Sequence, residues 1–204
     1  MRHQLATARE KRRPSRDSRL SAKQSPRYVD EGMPFLSAQN VKPYKFLPEV
    51  HRNVSLDDYK TYIRHVKPER GDILMTRVGA MIGEAAMIDR DLDFAFYVSL
   101  CLMKLKRDRI HAPYLVHWLN SPFGVAAARD KTLGKGHSQG NLNLKLIRRF
   151  KLPLPSIGEQ IRLTARLDEL EANVQRITNF QQQTAAELDA LMPSILDKAF
   201  RGEL

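Results

Sequence analysis

A single cysteine, Cys101, excludes any disulfide within the chain, as suits a reducing compartment. It sits in the apolar run Phe94–Met103, which reads as one buried strand, so it is expected to be a small core residue and not a nucleophile or ligand. Long apolar runs are also missing. None approaches the ~18 residues of a membrane-spanning helix, and the opening residues have no apolar segment of a secretory signal. The expected setting is cytoplasmic, with no membrane.

The usual catalytic patterns are absent. Gly79 and Gly83 lack the third glycine and following helix of a dinucleotide-binding loop, and no Walker lysine occurs. His3, His51, His65, His111, His117 and His137 make no i, i+4 pair around a glutamate. Asp57–Asp58 and Asp89, Asp91 and Asp93 lie in turns and helix starts, where acids usually cap or are solvated. No Asn/Asp-Pro-Pro-aromatic motif of an amino-methyltransferase occurs. No catalytic residue, metal ligand or cofactor is therefore assigned.

What the chain has in excess is positive charge, unevenly placed. Residues 1–30 carry nine Lys/Arg against three acids (+6), residues 31–155 twenty against twelve (+8), and residues 156–204 five against eight (−3). A basic middle suits a polyanion such as nucleic acid, and the acidic end suits protein contacts.

Residues 1–26, rich in Arg, Lys, Ser and Gln, read as a basic, disordered arm. The segment 27–155 reads as a mixed α+β globule large enough for its own core. Its expected elements are a strand at Gly32–Leu36, a helix capped by Ser55, and strands Ile73–Val78 and Ala85–Ile88. The long strand around Cys101 follows, then helices opening at Pro113 and Ser121–Pro122, a short helix Leu144–Arg149 and a strand Phe150–Leu154. Residues 132–141 form a glycine-rich polar loop of the kind that carries function. Around it, Arg77, Lys131 and Lys135, with Arg148 and Arg149, can neutralise phosphates. Gln139, Asn141 and Asn143 carry amides that can pair with base edges.

The segment 156–204 differs in kind. Ser156 and Glu159 have capping-box spacing after Pro153 and Pro155, which places a helix start near Ile157. Leu163, Leu167, Leu170, Val174, Ile177, Gln181, Thr184, Leu188 and Leu191 then alternate by four and three, the a/d seam of a coiled coil. About 35 residues give a rod of roughly 50 Å. Pro193 is expected to kink it before a short last piece.

Several segments together resemble one family. They are Gly32-Met33-Pro34-Phe35-Leu36; Gly71-Asp72-Ile73-Leu74-Met75-Thr76-Arg77 with Gly79 and Ile82-Gly83; Ser138-Gln139-Gly140-Asn141-Leu142-Asn143; Leu152-Pro153-Leu154-Pro155 before Glu159-Gln160; and the tail from Ala186. Their order is similar to that of the specificity subunit of type I restriction–modification enzymes. The resemblance implies a target recognition domain followed by a long conserved-region helix. Such a domain contacts one half of a split site in double-stranded DNA. The helices pair antiparallel as a spacer and dock the modification (methyltransferase) subunit. The restriction subunit joins through the complex, and the chemistry belongs to other chains. His137 and Ser138, in the same 132–141 loop, complete the expected DNA-binding set. The family's usual subunit has two recognition domains and two helices, whereas this chain has one of each. The expectation is a half-length form or the C-terminal piece of a disrupted subunit, and in the first case a homodimer through Leu163, Leu167, Leu170, Val174, Ile177, Leu188 and Leu191. A non-catalytic protein–protein adaptor with a basic globule is the alternative.

Overall fold

The computed structural model describes residues 2–4, 26–130 and 140–202. In chain order the elements are β1 (Arg2–Gln4), β2 (Tyr28–Val29), β3 (Met33–Leu36), a 3-10 turn (Ala38–Asn40), β4 (Val41–Lys42), β5 (Lys45–Phe46), β6 (Arg52–Val54), α1 (Leu56–Ile63), β7 (Ile73–Thr76), β8 (Ala85–Met87), β9 (Ala95–Phe96), β10 (Leu100–Met103), α2 (Ala112–Asn120), α3 (Pro122–Arg129), α4 (Leu144–Ile147), β11 (Lys151–Pro153) and α5 (Ile157–Arg201). The fold is α+β with a long C-terminal helix. The chain divides into two units, Met1–Ile161 and Arg162–Leu204.

The centre of the first unit is the antiparallel sheet β10-β7-β8. All four residues of β7 and all four of β10 are buried, so both faces of the sheet are covered. Alternation along the strands sorts the side chains. Ile73, Met75, Ala85, Cys101 and Met103 enter one apolar cluster, with Leu115 and Leu119 of α2 and with Leu142, Ile147, Phe150 and Leu152. Leu74, Ala86, Leu100 and Leu102 enter a second, with Leu36, Val41, Phe46, Ile88 and Phe94. A strand buried on both sides must be apolar throughout, which is why Ile73-Leu74-Met75 shows no polar alternation.

A second sheet, β2-β6-β3-β9, is antiparallel except where β3 runs parallel to β9. It covers a smaller cluster of Phe35, Val54, Tyr59 and Ala95. The β4–β5 hairpin is held by Asn40. Its amide donates to the carbonyls of Leu47 (2.8 Å) and Val50 (2.7 Å), and its Oδ1 accepts from Ser37 N–H at 2.8 Å. Local chemistry sets the helix starts. Ser55 Oγ accepts from Asp58 N–H and Ser121 Oγ from Gly124 N–H. Gly124 permits a tight α2–α3 corner, because a Cβ there would lie 2.2 Å from the Trp118 carbonyl oxygen.

Two expectations are corrected. The run Phe94–Met103 is two strands in two sheets, β9 and β10, separated by a turn in which Leu100 N–H donates to Tyr97 O. Each half satisfies its backbone against a different partner, so the chain bends at Tyr97–Ser99. The strand expected at Ile73–Val78 ends at Thr76, and Val78 instead makes an isolated bridge to Asn141. Pro193, where a kink is expected, lies inside one continuous 45-residue helix of about 68 Å. Proline removes one backbone bond, and the turns on either side carry the helix past it.

Most of the expected disordered arm, 1–26, lies outside the described residues. Within it, Arg2–Gln4 pairs antiparallel with Lys151–Pro153. The unit boundary falls inside α5, after Ile161, and not at 155/156. Gln160 explains this. It is fully buried, its Oε1 accepts from His111 N–H, and its amide donates to the carbonyls of Arg109 and Pro155. The first turn of α5 is thereby part of the globule. Ser156 Oγ accepts from Glu159 N–H at the helix start, as the capping spacing predicts.

Candidate nucleic-acid interface

The loop joining β7 to β8 is a narrow turn. Thr76 N–H donates to Glu84 O at 2.8 Å and Gly83 N–H returns to Thr76 O at 2.9 Å. Gly79 (φ +107°) and Gly83 (φ +98°) take left-handed conformations that a Cβ would strain, and a Cβ on Gly83 would lie 3.1 Å from that of Ala128.

Arg77, at the base of this turn, joins three chain segments. Its N–H donates to Ser99 O and its carbonyl accepts from Leu142 N–H, both at 2.8 Å. Its guanidinium donates through Nε to Leu142 O (3.1 Å), through Nη1 to Val98 O (3.2 Å) and through Nη2 to Asn141 Oδ1 (3.1 Å). Gly79 N–H donates to Gly140 O at 3.3 Å. Residues 77–79, 97–99 and 140–142 are thus laced together at one edge of the central sheet. Val98 and Asn141 are exposed there.

The expected DNA-contacting residues divide as follows. Lys131, Lys135, His137, Ser138 and Gln139 lie outside the described residues. Arg77 and Asn141 are brought together, and the arginine is spent largely on backbone carbonyls. Asn143 is exposed, and its Oδ1 caps α4 by accepting from Lys145 N–H at 2.9 Å. The turn Tyr97–Ser99 belongs to the same edge but reads in the sequence as mid-strand. Ser99, one polar residue inside an apolar run, was the available signal.

The expected pairing residues Leu163, Leu167, Leu170, Val174, Ile177, Leu188 and Leu191 all lie on α5 and are 36–63% exposed. Along that helix the polar faces carry local pairs, Arg166–Glu169 at 2.6 Å, Gln183–Glu187 at 2.9 Å and Asp197–Arg201 at 2.9 Å. Such pairs contribute only a few tenths of a kcal/mol each.

Elsewhere the chemistry is quiet. Burial pushes the Cys101 thiol up to about 12, against weaker opposing influences of Arg77 and Arg148, so it is not a thiolate. Among the described residues no group of three or more His, Cys, Asp or Glu could hold a metal, and no helix is long and apolar enough to cross a membrane. A recess of about 570 Å³ is lined by residues including Glu69, Arg70, Asp89, Asp91 and Arg107. Its charges are mixed. Asp89 is bound by Arg90, whose hydrogen bond holds the carboxyl below its ordinary value. Arg70 lies 4.0 Å from Asp91, and Arg107 donates to the Arg70 carbonyl. No field of one sign results.

Known proteins share this architecture. The family described as "Type I restriction modification DNA specificity domain" matches residues 4–188. The EcoBI type I restriction enzyme specificity subunit of Escherichia coli is 34% identical over 140 residues, which are 68% of this chain and 28% of that protein. The crystal structure of the HsdS subunit from Thermoanaerobacter tengcongensis superposes with a TM-score of 0.56 at 25% identity, covering 87% of this chain and 40% of its own. A chain from a structure of the type I R-M system, solved for its assembly and conformational transition, gives a TM-score of 0.63 at 24% identity. It covers 90% of this chain and 43% of its own, and bears on the fold alone. The matched part is under half the length of each of these relatives.

Proposed function

The chain belongs to the type I restriction–modification DNA specificity family, and on that premise we propose that it is a DNA sequence-recognition subunit without chemistry of its own. Its globule reads one half of a bipartite duplex site. Its helix pairs antiparallel with that of a second copy, making a two-fold symmetric dimer whose target is interrupted and symmetric. The same helices dock the modification subunit, through which the restriction subunit joins. The observation that carries this reading is one family match running through both units, a basic globule and a helix with an uncovered a/d seam.

The test is selection of duplex DNA from a randomised pool by the purified chain, with and without its modification subunit. Selective binding should weaken steeply with salt, by about 0.9 in the log–log slope for each phosphate contacted. Binding to a partner protein with no sequence-dependent shift on DNA would instead favour the adaptor reading.

A further inference from the structure

The geometry points to Arg77 as a positioning residue that orients Asn141 for reading, and not as a phosphate ligand; this rests on the DNA-recognition reading above. A guanidinium has donors only. The atom of the Asn141 side chain that faces it must therefore be Oδ1, which turns the amino group of that carboxamide away from the arginine. Asn141 is exposed, and its amino group has no partner among the described residues. Asn141 thus presents two N–H donors, which suit a base edge bearing acceptors.

Arg77 spends its fork on three acceptors from two other segments, Val98 O, Leu142 O and Asn141 Oδ1. Its main chain binds the same segments through Ser99 O and Leu142 N–H. A surface arginine that meets phosphates has no reason to be fixed in this way. Lysine, a point charge with a tetrahedral set of donors, cannot reproduce a planar fork aimed at three separated oxygens. The two roles therefore respond differently to Arg77→Lys.

The experiment uses the full chain, with one duplex enriched from a randomised pool and a scrambled duplex of equal length as probes. Amide hydrogen exchange of Arg77 and Leu142 is followed in the free protein. In Arg77→Lys and Arg77→Gln alike, exchange of both amides should rise and the ratio of binding to the two duplexes should fall roughly tenfold, with an unchanged salt slope. Asn141→Asp keeps an acceptor for Arg77 but replaces the outward donor by an acceptor. It should lower the ratio comparably while leaving exchange as it was.

The proposal is overturned if Arg77→Lys retains wild-type exchange and ratio while Arg77→Gln weakens both duplexes equally and lowers the slope by about 0.9. Should both Arg77 variants fail to fold, Asn141→Asp decides, and an unchanged ratio there sinks the claim. If the wild-type chain enriches no duplex, the DNA reading itself has failed and the orienting role falls with it. Exchange then still reports whether the clamp exists.

Discussion

The two units of this chain have solved the problem of apolar surface in opposite ways. In Met1–Ile161 the strands β7 and β10 are covered on both faces, and side chains such as Leu74 and Phe150 are wholly buried. In Arg162–Leu204 the residues of one apolar stripe remain in water, from Leu163 to Leu191. A helix in water gains little from its own backbone, and most helix stability comes from a packed apolar face. The globule therefore has an apolar core of its own, whereas the exposed stripe of the helix has yet to gain the stabilisation of a packed face. The same substitution should be felt differently in the two units.

The largest contrast comes from core truncation. Phe150→Ala should destabilise the globule by about 3–5 kcal/mol and Leu74→Ala by about 2–5 kcal/mol. Denaturant unfolding should show both losses at any protein concentration. Leu170→Ala, on the exposed stripe, should alter unfolding only at concentrations where copies associate. A concentration-independent loss of several kcal/mol at Leu170 would erase the distinction.

Gln160 tests where one regime ends and the other begins. Gln160→Leu removes the acceptor for His111 N–H and the donor to the Arg109 and Pro155 carbonyls. Each buried group left unpaired costs about 1–3 kcal/mol, and the globule should lose stability on that scale in a melt. A neutral result would move the boundary back to Pro155.

Much of this division was visible in the residues themselves. Ser55, Ser121 and Ser156 mark helix starts because their hydroxyls accept nearby N–H groups, a strictly local interaction. The four-three spacing from Leu163 onward is also local, and it needs no tertiary knowledge. What stayed hidden depends on distant partners. The strand Tyr28–Val29 is too short to show a period, and exists because Asn53 and Val54, about 25 positions on, pair with it. The split of Phe94–Met103 follows from two sheets competing for one run. At the candidate interface the residue types were legible, in the amides of Asn141 and Asn143 and the charge of Arg77. Their duties were not, because the Arg77 fork closes onto Leu142, 65 positions along the chain.

Two smaller effects sharpen the comparison further. Gln181 and Thr184 interrupt the stripe with polar groups, which fix register at some loss of affinity. Replacing both with Leu should tighten self-association roughly tenfold, or about 1.4 kcal/mol, in sedimentation, with no change in the melting of the globule. The smallest effect concerns acid. Lys104, 2.8 Å from Glu69, holds that carboxyl below its ordinary value through a hydrogen bond. A depressed carboxylate stabilises the fold above its unfolded pKa, and the benefit is lost as pH falls through the folded one. Glu69→Gln should therefore melt slightly earlier than wild type at neutral pH, with the gap closing in acid. A gap that widened in acid would reverse the sign of this argument.

The central claim is that the exposed stripe of α5 pairs with that of a second copy. Sedimentation equilibrium of the full chain at micromolar concentrations tests it most directly, alongside the double variant Leu167→Asp/Leu170→Asp. A reversible dimer for the wild type, and a monomer with an unchanged globule melting temperature for the variant, is the predicted outcome. A wild-type chain that remains a strict monomer at high micromolar concentration would contradict it.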